Sequence, residues 1–274
     1  MRLADTHCHL NFRQFDADRA SMLARAKAAG VERFLVPGLD HRSSADALQL
    51  AESDAAIYAA VGFHPTELEE FSEATFEQVR KLAAHPKAVA VGEIGLDHYW
   101  VKDEAQRARQ RDALKRQLDF AAEIGKPAVI HMREENDAWF GSASVELLEI
   151  LSEWRSRLVS ENHPLAERPG VLHSFNGTLE TAQKAVAMNF FIGVTGPVTY
   201  KNADQKRAVI SQLPLARLLI ETDSPFLAPV PQRGKRNEPA FVVEIADKIA
   251  EIKFKKMDEV AAVTADNAAR LFRW

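Results

Sequence analysis

Short, unbroken apolar runs and longer helical patterns alternate along the whole chain. The runs are Arg2–Thr6, Arg33–Pro37, Ile57–Phe63, Ala88–Ile94, Ala128–His131, Gly170–His173, Phe190–Val194 and Arg217–Thr222. Uninterrupted apolar stretches are what strands covered on both faces require, because neither face meets water. Between them, Asp16–Ala29 is Ala-rich and stops at Gly30. Glu104–Ile124 sets Leu114, Leu118 and Ala121 on one face and stops at Gly125, ahead of Pro127. Both stops are helix C-cap signals. Ser142–Arg157, Leu179–Met188, Glu238–Lys253 and Met257–Phe272 carry the same period. Eight strands alternating with helices over this length predict a (β/α)8 TIM barrel in one domain, 1–274, with a doubly wound open sheet as the second choice. The longest interval between strands, Glu134–Pro169, reads as an excursion of the rim with a polar tail, Ser160–Arg168.

Composition narrows the picture. The chain has 274 residues, 46% of them hydrophobic, which is enough for a full core. One cysteine excludes an internal disulfide and fits a reducing compartment. No apolar stretch has the length of a signal peptide or a membrane span, so the expectation is a cytoplasmic protein that does not enter a membrane. A formal charge of −4 argues against coating nucleic acid through a broad basic surface, though not against one local basic cleft.

The chemistry-bearing residues cluster where strands should end. His7 and His9 close the first run with Cys8 between them, so on extended backbone both imidazoles share a face and Cys8 packs on the other. His64 follows the third run, Glu93 ends the fourth, His131 the fifth, His173 the sixth, and Glu221 and Asp223 the eighth. The opposite strand ends read Arg2, Arg33, Lys87, Pro127, Pro169 and Arg217. A lone histidine at a strand end is usually a hydrogen-bonded loop residue, and Glu93 alone would be an ion-pair partner. Their joint placement at one mouth shifts the reading to a site. His41, His85, His98 and His163 fall outside this pattern and are taken as structural. Imidazoles and carboxylates in this number suit a pair of divalent ions (Mg, Mn or Zn). Two imidazoles and two carboxylates would serve one ion, and a shared carboxylate with two more imidazoles the other.

Asp5-Thr6-His7-Cys8-His9-Leu10, Gly92-Glu93-Ile94-Gly95-Leu96-Asp97 and Glu221-Thr222-Asp223-Ser224-Pro225-Phe226-Leu227-Ala228-Pro229 resemble the three signature segments of the TatD family of metal-dependent deoxyribonucleases. Arg233-Gly234-Lys235-Arg236-Asn237-Glu238-Pro239 resembles the segment that follows the third. The resemblance implies an amidohydrolase-like barrel. It implies His7, His9 and Asp223 as ligands of one metal, Glu93 as the bridge, and His131 and His173 as ligands of the second. It further implies that Asp223 orients or deprotonates the attacking water, and that His64 and Arg133 face the scissile phosphate. Glu221 shares the face of Asp223 and is expected to support the ligands from behind. Two departures from the family pattern, Thr66 with Glu67 after Gly62-Phe63-His64-Pro65 and the long 131–173 interval, lie on the mouth.

The expected reaction is 3′–5′ exonuclease cleavage of single-stranded DNA, with no obligate protein partner. Arg133, Lys201, Arg233, Lys235 and Arg236 are the expected phosphate contacts, and Phe175, Tyr200 and Phe226 the stacking rings. The rivals are a D-aminoacyl-tRNA deacylase, a small-molecule amidohydrolase or phosphoesterase on the same metal centre, and a non-catalytic nucleic-acid-binding protein. Barrels that bridge two metals with a modified lysine on the fourth strand are disfavoured, because that strand ends in Glu93 and the next lysine is Lys102.

Overall fold

A computed structural model describes residues 2–274. Eight strands form one parallel sheet in sequential order: β1 (Leu3–Asp5), β2 (Val31–Pro37), β3 (Ile57–Val61), β4 (Ala88–Asp97), β5 (Ala128–Arg133), β6 (Gly170–Leu172), β7 (Phe191–Val194) and β8 (Leu218–Ile220). The sequential order rules out the doubly wound alternative, in which the strand order must reverse at a switch point. Nine helices are formed by the described residues: α1 (Arg19–Ala28), α2 (His41–Ser53), α3 (Glu73–Ala83), α4 (Glu104–Ile124), α5 (Ser142–Ser160), α6 (Leu179–Ala187), α7 (Asp204–Gln212), α8 (Val242–Lys253) and α9 (Met257–Phe272). Among the described residues no helix is long and apolar enough to cross a membrane.

The helix ends follow local chemistry. Asp40 and Ser43 form a reciprocal cap on α2, and Ser72 and Thr75 do the same for α3. Gly125 ends α4 in the left-handed conformation, as its position in the sequence predicts. The helices α2, α3 and α7 lie outside the predicted set: α2 and α3 carry clear apolar stripes (Ala47, Leu48 and Ala51; Phe76, Val79 and Ala83) without a glycine stop, whereas α7 is mostly polar and has no side-chain cap. The interval 134–169 is mostly α5, an ordinary crossover helix packed on α4, α6 and β5. Only Glu134–Gly141 stays at the rim, so most of this interval is wall.

Strand alternation separates two apolar layers. Ala4, Leu35, Ala60, Ala90, Val129, Val171, Phe191 and Leu219, one from each strand, fill the interior together with Ala268, Leu271 and Phe272 from the end of α9. The chain's last helix therefore plugs the barrel from below. Outward residues such as Phe34, Ile57, Val91, Ile130 and Ile192 join the helices in the larger surrounding core. The cations at the lower strand ends cap carbonyls: Lys87 Nζ donates to the Ala55 and Ile57 oxygens, and Arg168 to those of Leu271 and Gly125.

The barrel closes between its first and last strands through the segments that follow them. Thr6 N donates to the Ile220 oxygen (3.2 Å), Asp223 N to that of His7 (2.8 Å), and His9 N to that of Ser224 (2.8 Å). Asp5 reinforces this seam by accepting from Thr222 N (2.9 Å) and the Thr222 hydroxyl (2.6 Å). The backbone of β4 presses against β5 at Gly95, where φ is +153° and a Cβ would stand 1.9 Å from the His131 oxygen. Gly95→Ala is therefore expected to destabilise the protein by at least about 2 kcal/mol, as overpacking does. A urea-unfolding midpoint equal to that of wild type would refute this contact.

Candidate metal centre at the barrel mouth

Residues 7 and 9 remain extended beyond β1, so the expected alternation holds. The two imidazole centroids lie 5.0 Å apart, while Cys8 is buried with its thiol donating to the Leu35 oxygen. Asp223 sits at φ 57°, an uncommon conformation for a non-glycine residue, and this turns its carboxylate back over the mouth. Its Oδ1 lies 3.3 Å from His9 Nε2 and 3.8 Å from His7 Nε2.

Glu93 occupies the middle. Its Oε2 is 3.2 Å from His7 Nε2, while its Oε1 faces His131 Nδ1 (2.9 Å), His64 Nε2 (3.6 Å) and His173 Nε2 (3.8 Å). One carboxylate thus presents its two oxygens to two sets of imidazoles. Three groups of donor atoms converge closely enough for an ion: His7, His9 and Asp223; His64, Glu93 and His131; and His7, His173 and Glu221. The donors expected for the second ion, His131 and His173, both face Glu93 Oε1, and His173 also groups with His7 and Glu221. The His173 ring stacks on His7 at 3.4 Å, and its Nδ1 lies 3.3 Å from Glu221 Oε1. Glu221, itself held by Ser174 N and the Thr6 hydroxyl, keeps His173 on the β8 side of the mouth. His64 also packs against His131, with ring centroids 4.4 Å apart.

The donors fit a divalent ion on their own chemistry. His7 is fully buried, yet neither of its nitrogens has a hydrogen-bond partner, and His9 Nδ1 and His173 Nδ1 are also unpaired. Buried polar atoms left in this way cost free energy unless something else engages them. Mixed imidazole and carboxylate donors suit zinc, manganese or iron, and still admit magnesium.

The charges are strongly coupled. Burial works against ionised Glu93, but His7, His64, His173 and the hydrogen bond from His131 hold its carboxyl well below the usual range. Burial likewise opposes the Asp223 charge, and the hydrogen bond from His9 and the nearby imidazoles outweigh it. Burial and the His131 charge press His64 down to about 3, so it is neutral. Burial would lower His131 too, but Asp97 and Glu93 raise it to about 9. A cationic imidazole cannot ligate, so uptake of an ion there must expel a proton.

Asp97, within the second signature segment, gains its part from the structure. It lies four residues after Glu93 on β4, so strand alternation alone puts both carboxylates on one face. Its Oδ2 accepts from His131 Nε2 at 2.9 Å. Fixing the proton on Nε2 leaves the Nδ1 lone pair directed at the centre beside Glu93. Thr66, the departure after His64, places its hydroxyl 2.7 Å from His64 Nδ1 and so orients that ring.

The expected nucleic-acid contacts divide. Arg133 stands at the rim, held by Asp137 (2.8 Å) with its guanidinium 3.8 Å from the centre of the Tyr99 ring. Lys201, Arg233 and Lys235 are exposed, and Arg233 covers the Tyr200 ring at 4.3 Å. Arg236 is spent otherwise: both of its terminal nitrogens donate to Asp18 at 2.7 Å, which anchors its loop to α1. Phe175 is buried in the core and cannot stack on a ligand, whereas Phe226 is 48% exposed beside His9 and Phe12.

A family model described as TatD related DNase matches residues 4–273. The chain belongs to the TatD family. It is 40% identical over 271 residues to YabD of Bacillus subtilis, an uncharacterised metal-dependent hydrolase, with 99% of each chain covered. It is 33% identical over 278 residues to the 3′–5′ ssDNA/RNA exonuclease TatD of Edwardsiella piscicida, with 99% of each covered. The crystal structure of YjjV, the TatD homologue of Escherichia coli, superposes with a TM-score of 0.88 at 35% identity, covering 100% of this chain and 98% of that one. This TatD protein is accordingly a metal-dependent hydrolase.

Two outcomes are expected. Asp97→Asn should lower the affinity for the ion held near His131 by about 10- to 100-fold, with partial recovery in Asp97→Glu. Metal content after dialysis against a graded chelator reads this directly, and retention equal to wild type would remove Asp97 from the centre. Lys206, buried with its Nζ donating to the Phe175 oxygen, is lowered by burial from 10.5 to about 8. Its folded value lies below its unfolded one, so the folded state disfavours the charge and this residue adds stability as pH rises from 8 toward 10.5. Lys206→Met should flatten that rise in denaturant titrations, and parallel pH profiles for the two proteins would count against it.

Proposed function

We propose that this TatD hydrolase shortens single-stranded nucleic acid from its 3′ end by cleaving phosphodiesters. The observation that carries the reading is the division of Glu93, whose two oxygens face separate imidazole sets as a carboxylate bridging two ions would. Relatives of 33–34% identity bear the name 3′–5′ ssDNA/RNA exonuclease, and the polarity rests on them. His7, His9 and Asp223 would hold one ion and His131 and His173 the other, with Glu93 between. Divalent ions in those places would polarise the phosphoryl oxygens and make a water acidic enough to attack at neutral pH.

The chain's own groups supply the rest. Asp223, held ionised and pinned by His9, accepts the proton of the attacking water. Neutral His64 donates a hydrogen bond to a non-bridging phosphoryl oxygen. Arg133, oriented by Asp137 and Tyr99, meets the phosphate at the rim as a fixed cation. A new bond forms from water oxygen to phosphorus, the bond to the upstream 3′ oxygen breaks, and that oxygen takes up a proton from solvent as Asp223 returns the one it accepted. The result is a 5′-mononucleotide and a strand one residue shorter.

The test strips the protein of metal, restores magnesium or manganese, and follows a 5′-labelled single-stranded DNA and the matching RNA. A ladder of stepwise shorter products is expected, reduced at least about 100-fold in Glu93→Gln and Asp223→Asn. Loaded wild type that leaves both strands intact yet hydrolyses D-aminoacyl-tRNA or a small phosphoester would overturn the assignment in favour of those substrates.

A further inference from the structure

The turn between β4 and α4 carries a largely exposed tryptophan at the edge of the mouth. Trp100 is 67% exposed. Leaving an indole of this area in water forfeits the stabilisation its burial would bring, so an exposed tryptophan held in a fixed place is a candidate contact surface. Trp100 is so held. Its backbone N–H donates to Asp97 Oδ1 at 2.8 Å, and Asp97 Oδ2 grips His131 Nε2 at 2.9 Å. A single carboxylate therefore joins the ring's backbone to the metal centre. The neighbouring Tyr99 meets Trp100 edge to face, with centroids 4.9 Å apart, and is covered on its own face by the Arg133 guanidinium. Arg133 lies 5.9 Å from the Trp100 ring, so a cation and an open π surface stand side by side at the His131 edge of the mouth.

We propose that Trp100 is the stacking platform for a nucleobase next to the scissile phosphodiester, with Arg133 on the adjoining phosphate. The assignment rests on the nucleic-acid reading above and adds a specificity-determining residue to it. A single strand alternates phosphates with flat rings, and the pair Arg133–Trp100 offers that same alternation. Stacking on a π face tolerates every base, so the platform would favour strands that carry bases without choosing among them.

The test uses the metal-loaded full chain and two oligonucleotides that differ only at the scissile bond, one flanked by normal nucleotides and the other by abasic tetrahydrofuran residues. Wild type is expected to prefer the base-bearing strand on the order of tenfold in kcat/KM, mostly through KM. In Trp100→Ala this preference collapses toward one, and in Trp100→Phe most of it returns. A preference that survives in Trp100→Ala overturns the platform while leaving the nuclease assignment intact. Failure of wild type to cleave either strand overturns the nuclease assignment itself, and the platform with it.

Discussion

The hydrogen bonds that join residues 6–9 to residues 220–224 close the barrel and assemble its site in one step. The strands β1 and β8 are only three residues each, too short to seal the sheet alone. Closure is completed by the extended segments beyond them, and those segments carry His7, His9, Glu221 and Asp223. One side of the candidate metal centre is therefore the last part of the sheet. Its side chains are placed by backbone bonds near 3 Å, which are more exacting than a flexible loop could be. Asp5 adds to this from below the imidazoles: buried, with burial raising its carboxyl to about 7, it accepts from the backbone and the hydroxyl of Thr222 and from the backbone N–H of His7.

The cost of the arrangement is the burial of Glu93, Asp97, Glu221 and three imidazoles, with His64 and His131 half-buried, within one mouth. Isolated, such groups would be prohibitive in a low-dielectric setting. Here each acid faces at least one imidazole: Glu93 faces four, Asp97 faces His131, and Glu221 faces His173. Asp97 and Glu221 stand behind the ring of imidazoles rather than in its middle. They keep nitrogen lone pairs turned inward and the rings fixed in orientation, and preorganised charges of this sort act on a substrate without first having to rearrange.

The two ends of the barrel solve different problems. Below, the α9 residues Leu271 and Phe272 plug the interior, while lysines and arginines engage free carbonyls, so that end contributes stability. Above, polar groups are left partly unpaired and open rings line the rim. Close backbone approach links the two ends. Gly95 lets β4 lie against His131, and Gly193 leaves room for the Glu221 carboxylate, which a Cβ there would meet at 1.8 Å.

Much of this was legible from the chain. Short, unbroken apolar runs ended by histidines and acids announced parallel strands and a site at their C-terminal ends, because buried strands must be apolar and a mouth is where polar atoms can gather. The helix Glu104–Ile124 was readable residue for residue, since a left-handed glycine marks its end. Less visible were α2 and α3, which end without a glycine, and α7, which is mostly polar and begins without a side-chain cap. The placements of Asp97, Trp100 and Arg236 were decided only by tertiary structure. Nothing in a linear pattern says that Asp97 will meet His131 across two strands, that Arg236 will be neutralised by Asp18, or that Phe175 will turn into the core while Trp100 stays out. The sequence determined which residues can ligate and which backbone they ride on, because periodicity and residue chemistry are local. The fold decided which of them meet, because contacts between strands and loops depend on register and closure that no single segment contains.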